Sequence, residues 1–341
     1  MRFIIVVLMT LLLNSSLGVN SAQAGPKHLF KIASLAPDGS VWVTQFEKFT
    51  KEVTEKTGGE VGFRVYAGGI MGDDQAMYRK MRVGQLHGGG FTMTGIASVV
   101  PDFRIMSIPF LFNNYQEVDA VSEGLMPLFQ EQFSKQGLEF IARTEVGFIY
   151  TMSTKPVVST EELKKSTIWI PAGDPLAATF IDQIGLSPVQ LSIPDVLSSL
   201  QTGLIDTVFN SLYGSIVLQW FTKAKYVTDN PFGYAYGVFL LDKKKFDKLP
   251  PKYATIIRES AAKHFSVLIE ETRKSNDESN LVLKKQGVTF VKANPDSLRE
   301  LQTFRQKTID KAMGSAFSEA TYNKMMKILD TYRAAHKTSG H

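Results

Sequence analysis

Apolar and polar positions alternate along the chain in two recurring modes. "HLFKIASLAP" (28–37) is a compact apolar run that reads as a strand, and "DGSVWVTQFEKFTKEVTEKTGG" (38–59) follows as an amphipathic helix. In that helix Val43, Phe46, Phe49 and Val53 recur at helical spacing, Asp38 or Ser40 is placed to cap the start, and Gly58-Gly59 ends it. "EVGFRVYAGG" (60–69) predicts a second strand, 73–83 a helix stopped by Gly84, and "GFTMTG" (90–95) a third strand. Strand, helix, strand, helix, strand is the order of a parallel sheet covered by helices.

The same logic returns after about residue 150. "STIWIPA" (166–172) predicts a strand, 175–184 a helix closed by Gly185, and "SPVQLS" (187–192) a strand. "PDVLSSLQTG" (194–203) predicts a helix and "IDTVFNS" (205–211) a strand. The pattern therefore predicts an α/β fold of two similar lobes. From Pro251 to Lys285 the helical pattern is nearly uninterrupted, with Pro at the start and Gly287 just past the end. At 1.5 Å per residue such a helix is roughly 50 Å long, more than one lobe's width, so it is expected to touch both. A two-lobed chain of this kind suits a central cleft that closes on a ligand, with hinge strands crossing between the lobes.

Composition narrows the chemistry. The 341 residues include no cysteine, which excludes disulfides, thiolate metal sites and thiol nucleophiles. The formal charge of +5 is small and scattered, and the lysine runs 243–245 and 284–285 read as solvated faces, so no nucleic-acid partner is expected. The start, "MRFIIVVLMTLLLNSSLGVNSAQAG", has one positive charge, an apolar run too short to span a bilayer, and small residues ending at Ala24. It reads as a signal peptide over 1–24, cleaved after Ala24, with the bacterial periplasm as the destination.

No reaction centre is legible. The five histidines lie far apart, there is no His-Glu-x-x-His motif, nucleophile elbow or phosphate loop, and neither a metal nor a cofactor is expected. Asp73-Asp74 reads as the acidic start of a helix, and Gly88–Gly90 as a place of close backbone approach. What stands out are aromatic and amide residues at strand ends and strand–helix turns, where open α/β sheets bind ligands: Trp42, Phe91 with its neighbour Thr92, Trp169, Asn210 and Tyr213. Asn210 is the most telling, because an amide that ends an apolar strand needs partners if buried.

Several segments carry a family resemblance: "ASLAPDGSVW", "EVTEKTGGEVGFRVYAGGIMGDDQAMYRKMRVGQLHGG", "IPFLFNNYQEVD", "STEELKKSTIWIPAGDPLAATFIDQIGLSPVQLSIPDVLSSLQTGLIDTVFNS" and "DKKKFDKLP". Together they resemble the solute-binding subunit of TRAP (tripartite ATP-independent periplasmic) transporters, in the right order over most of the chain. The resemblance implies a two-lobed periplasmic binding fold whose chain crosses between lobes near 147, 236 and 275. Lobe I would comprise 25–146 and 236–275, lobe II 147–235 and 276–335, with a tail over 336–341. It implies a small-molecule ligand, captured without catalysis and delivered to the small and large membrane subunits of a permease driven by an ion gradient. The alternative is a ligand sensor that presents its closed form to a receptor.

One departure bears on the ligand. Family members that bind organic acids carry an arginine that grips the carboxylate bidentately, and its position here is Trp169; a second arginine position falls at Ile149. Asn210 aligns with the family's ligand-facing asparagine, and Ile193 stands at the family's aromatic position. An organic acid or dicarboxylate is the family default, but without those arginines a buried carboxylate lacks its cation, which moves the expectation toward an uncharged, apolar or larger solute. Trp169 would offer a large face and one N–H donor, suited to stacking on an apolar, aromatic or cationic ligand, with Trp42, Phe91, Tyr150 and Tyr213 as further walls. A replacement arginine would have to come from elsewhere, such as Arg64, Arg79 or Arg104.

Overall fold

The computed structural model describes residues 25–336; the expected signal segment 1–24 with its cleavage point, and residues 337–341, lie outside the described residues. The described residues form nine strands: β1 His28–Ser34, β2 Val61–Tyr66, β3 Gly88–Thr92, β4 Leu138–Ser153, β5 Trp169–Pro171, β6 Val189–Leu191, β7 Thr207–Asn210, β8 Tyr226–Asp242 and β9 Thr289–Val291. The helices longer than about one turn are α1 Val41–Lys56, α2 Asp74–Arg82, α3 Tyr115–Lys135, α4 Pro175–Gln183, α5 Val196–Thr202, α6 Leu212–Val217, α7 Pro251–Lys285, α8 Pro295–Ala312 and α9 Glu319–His336.

The local signals in the sequence act where expected. Ser40, not Asp38, caps α1 by accepting the Val43 N–H, and Asp73 caps α2 through the Ala76 N–H at 2.7 Å. A Cβ on Gly88 would lie 2.5 Å from the Leu240 carbonyl oxygen, so the glycine run lets β3 lie close against β8. The expected third strand is shorter than predicted: Thr92 ends it by capping the helical turn Met93–Ile96, with its hydroxyl accepting the Gly95 N–H.

The sheet is mixed, whereas the alternating pattern predicts a parallel one. β1 pairs in parallel with β2 and β3, and β5 with β6, but β3–β8, β4–β8 and β4–β7 are antiparallel. The reason is the length of β4 and β8, 16 and 17 residues, each extending roughly 50 Å. They run antiparallel past each other through the whole molecule and serve both lobes. Towards one end β8 pairs with β3 (Phe91 opposite Val238); towards the other, β4 pairs with β7 (Tyr150 opposite Asn210) and β8 with β9. A bridge from Ile168 to Thr207 attaches β5 and β6 beyond β7. Register shifts fall between Glu145 and Gly147, and again at Ile149–Tyr150, with Gly147 at φ +110°. These irregularities lie where the two strands pass between lobes.

Each lobe has its own core. In the first, Phe30, Phe49, Val61 and Phe239 pack with Phe265 and Leu268 of α7 on one face of the sheet, and Met77, Phe103, Val121 and Phe133 pack on the other. In the second, Met152, Trp169, Leu200, Val208 and Trp220 pack with Leu283 near the far end of α7. The 35-residue helix thus contributes to both cores, as its length requires. The C-terminal helix α9 does not follow the lobe division implied by the resemblance. Its Met325 and Leu329 share a core with Val118, Val121 and Leu125 of α3, so the chain returns to the first lobe. The apolar stripe on α3 supplies the surface that α9 buries.

Candidate functional site: an apolar cavity between the lobes

The lobes meet around a cavity of about 260 Å³, built where strands end or cross. β3 delivers Phe91 and Thr92, the start of α1 delivers Trp42, β5 delivers Trp169, β7 delivers Phe209 and Asn210, and the crossing segments of β4 and β8 deliver Glu145, Ile149, Tyr234 and Tyr236. The lobes also touch outside the cavity. Leu176 of α4 packs into the first-lobe core, and the Val41 N–H donates across to the Tyr213 hydroxyl at 2.8 Å.

Seven of the nine residues singled out in the sequence line this cavity: Trp42, Phe91, Thr92, Ile149, Trp169, Ile193 and Asn210. Tyr150 and Tyr213 do not. Successive side chains leave a strand on opposite faces, so with Ile149 turned to the cavity, Tyr150 lines a separate groove with Tyr115, Asn276 and Leu281. Tyr213 stands beside Trp42, ring centroids 5.1 Å apart, and ties α6 to the first turn of α1.

The indoles supply surface and no free donor. Trp169 donates its N–H to the Leu191 carbonyl at 3.0 Å, and Trp42 donates to the Glu145 carbonyl at 2.8 Å. Trp169 is 3% exposed and meets Trp220 edge to face at 5.2 Å. The donor expected of Trp169 is therefore used inside its own lobe.

Charge is the distinctive feature. Among the described residues no lysine, arginine or histidine lines the cavity, and the replacement arginines weighed from the sequence, Arg64, Arg79 and Arg104, do not reach its wall. Two carboxylates do. Glu145 is fully buried and saturated: Arg273 donates to it at 2.7 and 2.9 Å, Arg143 at 3.2 Å and Tyr234 at 2.7 Å, while Arg273 also grips Asp119 at 2.6 and 2.8 Å. These two arginines and two acids balance in charge.

Asp174 is different. It is 5% exposed, and its Oδ1 caps α4 by accepting the Leu176 and Ala177 N–H groups at 3.1 and 3.2 Å, while Oδ2 makes no hydrogen bond among the described residues. Burial pushes its pKa up, opposed by the charge of Arg104 and by the two capping N–H groups. Arg104 is itself buried, its Nε has no partner among the described residues, and burial lowers its pKa against the field of Asp174, with which it forms no ion pair. Asn210 accepts the Ser211 N–H on Oδ1 at 2.8 Å, which leaves its Nδ2 donors without a partner among the described residues.

Behind Thr92 lies a third buried acid. Asp74 accepts the Thr92 N–H at 3.0 Å and its hydroxyl at 2.7 Å; burial raises its pKa to about 6 against those hydrogen bonds. Neither Glu145 nor Asp174 was legible as a site residue. In sequence Asp174 in "AGDP" has the signature of a helix cap, and only the packing of α4 against the other lobe puts it on the cavity wall. Among the described residues no cluster of His, Asp or Glu is placed to hold a metal ion, and no helix is long and apolar enough to cross a membrane.

A mixed α/β chain of two lobes around an apolar cavity defines a binding protein of the periplasmic type. Residues 32–315 match the family model described as bacterial extracellular solute-binding protein, family 7, and the chain belongs to that family. Among solved structures, a TRAP periplasmic solute binding protein from Desulfovibrio salexigens with bound orotic acid superposes with a TM-score of 0.82 at 20% identity, over 90% of this chain and 99% of that one. The sugar acid binding protein of Advenella mimigardefordensis, in complex with galactonate, superposes with a TM-score of 0.84 at 18% identity over the same shares. By sequence, the chain is 23% identical over 217 residues to the 2,3-diketo-L-gulonate-binding periplasmic protein of Escherichia coli, covering 63% of this chain and 66% of that protein.

Proposed function

We propose that this protein is the periplasmic capture subunit of a TRAP transporter. It binds a small organic solute by closing its two lobes, leaves the solute chemically unchanged, and delivers it to the small and large membrane subunits of an ion-gradient-driven permease. The ligand stabilises the closed state by contacts that both lobes make only when together. Family membership and the shared fold support solute capture; the relatives named above hold orotic acid and galactonate, which are acids.

The observation that carries the ligand reading is the cavity lining: among the described residues it has aromatic and aliphatic walls, two carboxylates and no cationic side chain. At about 260 Å³ the cavity lies just below the usual span of ligand pockets, roughly 300–1,000 Å³. A simple dicarboxylate would enter it without a charge partner, at a desolvation cost of several kcal/mol per ion. The solute is therefore mainly apolar, held by shape and a few polar contacts.

Mass spectrometry of the solute that co-purifies with the protein tests this directly, followed by calorimetric titration of ligand-stripped protein. An apolar or amphiphilic solute is expected. Tight binding of a C4-dicarboxylate that survives Trp169→Ala would overturn the ligand reading.

A further inference from the structure

We propose that Asp174 is the specificity-determining residue of the cavity and that it takes the protonated amine of a ligand whose remaining body is apolar. This rests on the solute-capture reading and names the head group that the cavity selects. Of the two acids on the wall, Glu145 has both oxygens taken by Arg143, Arg273 and Tyr234, whereas Asp174, a buried residue, holds Oδ2 without a hydrogen bond among the described residues. A carboxylate oxygen without a donor on a mainly apolar wall gains most from a charged one. Arg104 cannot supply one: it lies behind the wall, close enough for its field to favour the ionised form of Asp174 but making no ion pair with it.

The rest of the lining suits the same head group. Phe209, Phe232 and Tyr236 line a cavity that has no basic side chain among the described residues, and ring faces attract an ammonium group. A ligand carboxylate would meet the like charge of Asp174 with no cation on the wall, so the residue that favours an amine also rejects an acid. Asn210 Nδ2 remains available to an acceptor atom elsewhere on the ligand.

Three probes with one body separate the head groups: 3-phenylpropylamine, 3-phenylpropanol and 3-phenylpropionate, titrated by tryptophan fluorescence into protein stripped of ligand by unfolding and refolding. The amine is expected to bind at least about tenfold more tightly than the propionate. Asp174→Asn, which keeps Oδ1 as the helix cap, is expected to lower amine affinity by about tenfold or more while leaving alcohol binding within about threefold. The alcohol also reports that the variant is folded. Equal or tighter binding of the propionate, or amine affinity untouched by Asp174→Asn, overturns the proposal. If none of the three binds, the co-purifying solute decides: an amine supports the proposal and a carboxylate without an amine overturns it. If no probe binds and no solute co-purifies, it is the capture reading itself that fails.

Discussion

Trp169 donates its indole N–H to the Leu191 carbonyl at 3.0 Å while its ring stands edge-on to Trp220. Trp169 thus serves two purposes, closing one cavity wall and locking β5 to the end of β6. Trp169→Ala should cost about 3–5 kcal/mol, the usual range for emptying a buried aromatic site. Trp169→Phe should cost less, about 1–3 kcal/mol, for the lost hydrogen bond and part of the area. Urea unfolding checks both, and equal losses for the two variants would show that the ring's bulk contributes little.

Glu145 and Arg273 join the crossing strand β4 to the long helix α7, and Arg273 extends the link to Asp119 on α3. Removing one partner leaves the other charge buried, so Arg273→Met should destabilise the fold by about 3–5 kcal/mol. In a cycle with Glu145→Gln the double variant should be less destabilised than the sum of the singles. Additive losses in chemical denaturation would contradict a shared network.

Asp74 sets a pH dependence of definite sign. Its pKa in the folded protein is raised to about 6 from 3.8, so between these values the folded state binds more protons than the unfolded one. Its contribution to stability is therefore favourable on the acid side and is lost as the pH rises from about 4 through about 6. The full span corresponds to roughly 3 kcal/mol. The difference in urea midpoint between wild type and Asp74→Asn, measured from pH 4.5 to 7.5, should move in favour of the variant as pH rises. A flat difference would contradict the raised pKa.

The Tyr213 hydroxyl accepts the Val41 N–H, an amide at the start of α1 that α1 itself cannot satisfy. The bond joins the lobes, so Tyr213→Phe should weaken the closed state more than either lobe. A loss of about 0.5–1.5 kcal/mol predicts about two- to tenfold weaker affinity for the co-purifying solute, with little change in the unfolding midpoint of ligand-free protein. Titration calorimetry reads the first and thermal melting the second.

Much of the local structure was legible because it depends on near neighbours in the chain. The stretch Pro251–Lys285 forms a helix with the predicted bounds, since its apolar spacing, its leading proline and Gly287 at φ +76° all act within a few residues. The short strands near Trp169, Val189 and Thr207 lie inside the segments predicted for them. The long strands β4 and β8 were not legible from the alternation of elements. Their residues turn toward different neighbours in each lobe, and the bulges near Gly147 and Tyr150 break the period that would have marked one continuous strand.

The sequence by itself therefore determined the two-lobed α/β plan, the lobe-spanning helix and the family. Only the tertiary structure decided how the cavity is charged. Whether a carboxylate is saturated, as Glu145 is by Arg273 and Tyr234 from distant segments together with Arg143 of its own strand, or keeps an oxygen free, as Asp174 does, depends largely on groups far apart in the chain. Tyr150 and Tyr213 left the predicted site for the same reason: strand pleat and lobe contact, set by packing across the molecule, decide which way a side chain faces.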